Sequence, residues 1–274
     1  LLALALSSCN LARMHGRAVE RRLVRHGYTA HTYQADGPHF VWYRNTGKPP
    51  LLLLHGYSAN AVTQDALFGL RRFTDENNIL YAYPDGTVDK RGKQFWNATD
   101  ECCNRDNLPV DDVAYLTAVI DDMSARFNVD KKRIFITGHS NGGFMAYRLA
   151  CDLSPRIAGI VSLAGAMWQD MSKCRPSEPV AVAQVHGTLD DAVPYAAARP
   201  SVEFWARQNG CGAAPDPAQA PPQQDLDRAV SGDETQIERF PGCKGGAAEL
   251  WTLKGSGHVP LLQQPGWAKA LWSF

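Results

Sequence analysis

The chain has 274 residues, 45% apolar and 20% charged, with Lys and Arg balancing Asp and Glu to a formal net charge of zero. That length suits a single α/β domain with a substantial core. The charge balance and the absence of long acidic or basic runs argue against an electrostatic surface for nucleic acid and favour a neutral or insoluble substrate.

The chain begins with the apolar run Leu1–Leu6, which stops at Ser7-Ser8-Cys9. Six residues cannot span a bilayer, which takes about 20. The segment reads as the end of a secretory signal. Leu6-Ser7-Ser8-Cys9 also resembles a bacterial lipobox, in which the Cys carries a lipid. Residues 1–9 are therefore set apart as a truncated signal or lipobox segment and 10–274 as one domain. The expected location is secreted, or lipid-anchored in the bacterial cell envelope, with membrane contact only through a lipid on Cys9.

Two alternating segments, Tyr28–Gln34 and Phe40–Arg44, predict strands joined by a turn at Asp36-Gly37-Pro38. Leu51–Leu54 is wholly apolar and ends at His55-Gly56, as a strand buried on both faces would. Ile79–Tyr83, Arg133–Thr137, Ile157–Ala164 and Val180–His186 have the same character. Between them, Val113, Leu116, Ile120, Met123 and Phe127 fall at helical spacing behind Asp111-Asp112. Phe144–Ala150, Val202–Gln208 and the start of Trp267–Phe274 predict further helices, the last of which stops abruptly and suggests truncation. Strands alternating with helices predict an α/β fold with a mostly parallel central sheet covered on both faces. Gly212–Gln236, rich in Ala, Pro, Gln and Asp, reads as a flexible excursion.

Apart from Cys9, six cysteines remain: Cys102, Cys103, Cys151, Cys174, Cys211 and Cys243. An even set without zinc-ligand spacing predicts disulfides in an oxidising compartment, and no metal site. Cys211 and Cys243 flank the excursion and are expected to pair. A bond between the neighbours Cys102 and Cys103 is strained, so each is expected to reach a distant partner, Cys151 or Cys174.

The chemical signal is strongest at Ile134-Phe-Ile-Thr-Gly138-His139-Ser140-Asn141-Gly142-Gly143. Here G-x-S-x-G follows an apolar strand and opens a helix, the context of a nucleophile elbow. The turn is too tight for bulky side chains two residues either side of Ser140, and the helix start offers amide donors to an oxyanion. A nucleophilic serine needs a base and an orienting acid, in the chain order Ser, acid, His. The acid is offered by Asp190-Asp191 after the strand ending at His186, and the base by His258 in Lys254-Gly-Ser-Gly-His258. His186 precedes the acid and is expected to be structural; His139 is expected to pack on the elbow. Tyr57, after His55-Gly56, and Asn141 are the expected oxyanion amides.

The set His55-Gly56, Trp96-Asn97 with Cys102-Cys103, Val110-Asp-Asp-Val113, Gly138-His-Ser-Asn-Gly-Gly143, Tyr147-Arg-Leu-Ala-Cys151, His186-Gly-Thr-x-Asp190, Val193-Pro-Tyr195 and Gly257-His258 resembles the secreted polyhydroxybutyrate depolymerase-like esterases. These are relatives of feruloyl esterases with the α/β-hydrolase fold. The resemblance covers about Leu51 to His258. It implies cofactor-free hydrolysis of carboxylic esters, of polyester or hydroxycinnamoyl type, with Asp190 rather than Asp191 as acid. Two departures stand out: Val259-Pro260-Leu261 where the family usually has Trp-Pro after its His, and a less similar N-terminal part. If the resemblance extends to the loops, Trp96, Asn97 and Tyr57 border Ser140 and contact substrate. The expected partner is an ester substrate, polymeric included, bound by a monomer, with no nucleic acid. A peptidase of this fold would usually bring a propeller domain for which there is no room, and an inactive binding homologue would normally have lost Ser140 or His258.

Overall fold

The computed structural model describes residues 28–34, 38–44, 49–213, 215 and 220–274, the first two segments by backbone alone. Cys9 and the turn at Asp36-Gly37 lie outside the described residues.

The scaffold is one sheet of strands β1 (Tyr28–Gln34), β2 (Pro38–Arg44), β3 (Pro50–Leu54), β4 (Leu80–Pro84), β7 (Ile134–His139), β8 (Ile157–Leu163), β9 (Ala181–Gly187), β10 (Thr235–Arg239) and β11 (Ala248–Leu253). Their order is β1-β2-β4-β3-β7-β8-β9-β11-β10. The run β4-β3-β7-β8-β9-β11 is parallel, and the remaining pairs are antiparallel. A two-stranded ribbon, β5 (Thr87–Val88) with β6 (Gln94–Phe95), stands apart.

The apolar runs of the parallel strands have a direct cause. In β3, Leu52 and Leu54 belong to the core on one face, and Leu51 and Leu53 to the core on the other. Successive side chains point to opposite faces, so a strand covered on both sides must be apolar throughout. One face is closed by α3 (Asp112–Arg126) and α4 (Asn141–Asp152), the other by α1 (Ala61–Phe68) and α6 (Gly266–Ser273). α3 is capped by Asp111, which accepts from the Ala114 amide at 2.9 Å, and carries Arg126 in its last turn. Both charges complement the helix dipole. α1 and α2 (Arg71–Glu76) escaped the sequence reading. Without a clean apolar stripe, α1 is delimited by a reciprocal Asn60/Thr63 capping box and by Gly69 at φ 61. α5 (Ala198–Gln208) packs on β9 and β11.

Two expectations need correction. The excursion expected over Gly212–Gln236 is anchored in its later part: Leu226, Asp227, Glu234 and Thr235 are buried, residues 228, 229 and 231–233 are exposed, and the segment leads into β10. Its composition hid this because one apolar anchor, Leu226, is joined by polar anchors that pair internally. The disulfides are Cys102–Cys103, Cys151–Cys174 and Cys211–Cys243. The last agrees with the sequence reading, but the bonds from Cys102 and Cys103 to distant partners do not form. Cys151 closes α4 and Cys174 follows a short 3₁₀ turn, bringing their Cα atoms to 5.2 Å. At that spacing each satisfies the other, which leaves the two neighbours as a pair.

Cys211–Cys243 closes a loop with a sequence separation of 32. Replacing both residues by Ser should lower the free energy of unfolding by about 3–4 kcal/mol on the chain-entropy account, as read from urea denaturation. A loss below about 1 kcal/mol would remove this bond from the list of constraints on the excursion.

Candidate active site

Ser140 stands between β7 and α4, as the N-cap residue of the helix, with φ 53 and ψ −120, a left-handed backbone unusual for a residue with a Cβ. The glycines around it make the turn possible. A Cβ on Gly138 would lie 2.4 Å from the Gly142 carbonyl oxygen, and one on Gly142 would lie 2.2 Å from that of Leu54. No side chain fits either gap. The Ser140 amide donates to Leu163 O at 2.8 Å, tying the elbow to the next strand.

The three chemistry-bearing side chains converge from three loops. Ser140 Oγ lies 2.9 Å from His258 Nε2, and His258 Nδ1 lies 2.8 and 3.0 Å from the two carboxylate oxygens of Asp190. Nδ1–H therefore donates to Asp190, which leaves Nε2 free to accept from the serine hydroxyl. The side chain of Asp190 is fully covered, whereas that of His258 is 17% exposed. Burial opposes ionisation of Asp190. Hydrogen bonds from His186, His258 and the Val193 and Ala192 amides outweigh it and hold the carboxyl well below the usual carboxylate range. Asp191 makes no hydrogen bond to His258 among the described residues.

His186 has more to do than the sequence reading allowed. Gln184 Nε2 donates to His186 Nδ1 at 2.9 Å, so His186 carries its proton on Nε2. That proton faces Val193 O at 2.9 Å and Asp190 Oδ2 at 3.1 Å. Gln184 is held in turn by the Tyr147 hydroxyl and by Gly165 O, both at 2.9 Å. A buried chain of polar groups thus orients the carboxylate from the side opposite His258. The available signal was the pair of polar residues at 184 and 186, on one face of an otherwise apolar strand.

His139 packs on the elbow as expected, and its Nε2 donates to His258 O at 2.8 Å. His55 accepts from the Gly86 amide at 2.8 Å through Nε2 and donates to Gly56 O at 2.9 Å through Nδ1, locking the loop that carries Tyr57. A Cβ on Gly56 would lie 3.4 Å from Ser140 Cβ, so this loop runs against the nucleophile. Asn141 stands at the first position of α4, where an amide has no intrahelical acceptor. The Asn141 side chain is committed elsewhere: it accepts from the Trp96 amide at 2.7 Å and donates to Trp96 O at 2.9 Å.

Ser140 and His258 open into a cleft of about 410 Å³. Phe144, Met167, Val193 and Pro194 give it apolar walls; Tyr57, Arg105 and the Cys102–Cys103 pair border it as well. Trp96 and Asn97, expected to contact substrate, do not line it. Trp96 is fully buried, stacks on Tyr115, and donates its indole N–H to His55 O at 2.9 Å. Asn97 spends its amide on Asp112 and its side chain on Val110 O. Both hold the loop from behind, because the pairing of Trp96 with Asn141 and His55 turns the ring into the core. Of the three expected aromatic or polar contacts, Tyr57 alone borders the cleft, with Arg105 5.0 Å over its ring. Among the described residues no cluster of His, Cys, Asp and Glu could hold a metal ion.

Residues 43–213 match the family described as Phospholipase/Carboxylesterase. The chain is 28% identical over 203 residues to putative esterase NocK of Nocardia uniformis, covering 74% of this chain but 53% of that protein. It is 25% identical over 238 residues to feruloyl esterase D of Neurospora crassa, covering 85% of this chain and 73% of that one. Acetyl xylan esterase from Aspergillus awamori superposes with a TM-score of 0.68 over 90% of this chain and 98% of that one, at 11% identity, a likeness of fold.

Burial pushes His55 and His139 down to about 4, against the opposing pull of their bonds to the Gly56 and His258 carbonyls. An unfolded histidine takes up its proton near pH 6.5. Each therefore contributes stability that is complete above pH 6.5 and lost as the pH falls toward 4. Asp85 and Asp112, pushed up to about 6 by burial, act in the opposite sense over the same window. A His139→Gln variant keeps a donor for the His258 carbonyl but cannot take up the proton. Between pH 6.5 and 4.5 it should lose about 2 kcal/mol less unfolding free energy than the wild type. Equal losses in urea melts would mean that His139 is not held neutral.

Proposed function

Since this chain belongs to the phospholipase/carboxylesterase family of α/β hydrolases, we propose that it is a serine carboxylesterase acting on hydroxycinnamoyl esters of the feruloyl type. The observation that carries this reading is the continuous line of hydrogen bonds Ser140–His258–Asp190, open at its serine end to the cleft. The similarity to a feruloyl esterase supports the substrate class. The apolar walls from Phe144 and Met167 suit a flat acyl ring, and a cleft of about 410 Å³ lies in the range that encloses a small organic ligand.

In the proposed cycle, Ser140 Oγ attacks the ester carbonyl while His258 Nε2 takes its proton. Asp190 keeps the imidazole in the required tautomer and offsets the charge it gains. The oxyanion of the tetrahedral intermediate is received by the amides of Tyr57 and Asn141. Collapse breaks the bond to the alcohol, which leaves with the proton from His258, and the acyl group stays on Ser140. Water then repeats the sequence: His258 accepts its proton, the hydroxide adds to the acyl carbon, and the acid is released as Ser140 regains its hydrogen.

The three disulfides support an oxidising compartment. The protein is accordingly read as exported, either free or tethered through Cys9. Among the described residues no helix is long and apolar enough to cross a membrane.

Turnover of methyl ferulate, p-nitrophenyl butyrate, acetylated xylan and emulsified poly-3-hydroxybutyrate tests the proposal. Methyl ferulate should give the highest kcat/KM of the natural-type esters. Ser140→Ala and His258→Ala should each lower kcat by about 10⁴-fold or more, and the double variant should be little worse, because the two act as a unit. Asp190→Asn should be severe but milder. Release of 3-hydroxybutyrate without turnover of methyl ferulate would replace the substrate class, and an Asp191→Asn defect exceeding that of Asp190→Asn would reassign the acid.

A further inference from the structure

His258 lies in the loop between β11 and α6, and a base carried on a loop is only as well placed as the loop. One side of this loop rests on the acid strand. The Leu189 amide donates to Ser256 O at 2.9 Å, and a Cβ on Gly187 would lie 2.3 Å from the same carbonyl oxygen. The other side is held chiefly by the Asp227 carboxylate, from the segment that precedes β10, with Asp225 of the same segment accepting from the Gln263 side chain at 3.2 Å. Asp227 Oδ2 accepts from the Ser256 hydroxyl at 2.7 Å, and Asp227 Oδ1 accepts from the Leu261 amide at 2.9 Å. The two contacts bracket His258, one before it in the chain and one after.

The placement of Asp227 is built rather than incidental. The residue is 2% exposed, and burying a carboxylate is costly unless its oxygens are used. Here they accept from Ser256, Leu261 and, at 3.0 Å, the Ala229 amide. The two oxygens receive donors from different directions, the Ser256 hydroxyl on Oδ2 and the Leu261 and Ala229 amides on Oδ1. The backbone reinforces the bracket: the Arg228 amide donates to Leu261 O at 3.1 Å and the Gln263 amide to Leu226 O at 2.8 Å. The segment is itself braced by Glu234 Oε1, which accepts from the Leu226 and Asp227 amides at 3.2 and 3.1 Å. Cys211–Cys243 ties off the excursion covalently.

We propose that Asp227 is a positioning residue for the general base, fixing both flanks of the His258 loop so that Nε2 stays within reach of Ser140 Oγ. The inference rests on the assignment of Ser140 and His258 as nucleophile and base. It makes the excursion a part of the active-site framework although none of its residues from 220 to 236 lines the cleft.

Kinetics on p-nitrophenyl acetate, corrected for folded fraction and run well below the melting temperature, test the proposal with Asp227→Ala, Asp227→Asn and Ser256→Ala. Misplacing a reacting group by about 1 Å can cost 10²-fold in rate. Asp227→Ala should therefore lower kcat by about 10- to 100-fold with KM within about twofold. Asp227→Asn, which keeps an oxygen for the Leu261 amide, should recover part of that loss. Ser256→Ala, which removes one bond alone, should lower kcat by a smaller factor and decides the matter if Asp227→Ala does not fold. The low-field proton resonance of the His258 Nδ1–H···Asp190 bond should broaden in Asp227→Ala. Wild-type kcat in the folded variants would overturn the proposal, as would a rise in KM alone. A wild type that turned over no ester would instead fail the esterase reading, and the NMR signal would still report the positioning.

Discussion

Ser140 is held at φ 53 by its surroundings, a backbone conformation that costs on the order of 1–3 kcal/mol for a residue with a Cβ. The arrangement of the active site follows from how that cost is met. β7 and α4 must meet so closely that Gly138 faces the Gly142 carbonyl and Gly142 faces that of Leu54. This brings the end of β3, and with it His55-Gly56-Tyr57, directly against the serine. The parallel sheet makes such an approach possible because neighbouring strands end together on one side, where their loops collect. The covered faces of the sheet, apolar on both sides, provide the rigidity that keeps the elbow in its strained form.

Around this fixed point, the loop-borne partners Asp190 and His258 are held by polar groups. Asp190 receives hydrogen bonds from two histidines and two amides, and His258 is held by its ring on Asp190, by its carbonyl on His139, and through its loop by Asp227. The groups that hold His258 come from separate stretches of chain, around 139, 190 and 227. A loop that carries a catalytic side chain gains definition from such contacts only if the polar atoms involved are satisfied, and His55 and His186 each have both ring nitrogens hydrogen-bonded, while His139 spends Nε2 on the His258 carbonyl.

Much of the parallel sheet was legible in the sequence because burial on both faces leaves runs such as Leu51–Leu54 with no polar residue. The elbow was legible because G-x-S-x-G sat between such a run and a helical segment. What stayed hidden depended on partners distant in the chain. Trp96 read as a wall of the binding site, but its ring is drawn into the core by Tyr115 and by the carbonyl of His55. His186 read as a packing residue, since its role is set by Gln184 on one side and Asp190 on the other. Asp227 lay in a stretch whose composition suggested flexibility, and its two hydrogen bonds reach 29 and 34 residues along the chain. The disulfides divide in the same way: Cys211 and Cys243 flank one excursion visibly, whereas the closeness of Cys151 to Cys174 exists only once α4 has packed.

The central claim is that Ser140 is activated by His258 as a nucleophile toward an ester carbonyl. Peptide mapping by mass spectrometry after reaction with diethyl p-nitrophenyl phosphate tests it most directly. The account predicts a single diethylphosphoryl adduct on the peptide containing Ser140, formed in step with loss of esterase activity and absent from the His258→Ala variant. An adduct on another residue accompanied by inactivation, or an unlabelled Ser140 in a protein that has lost its activity to the reagent, would contradict it.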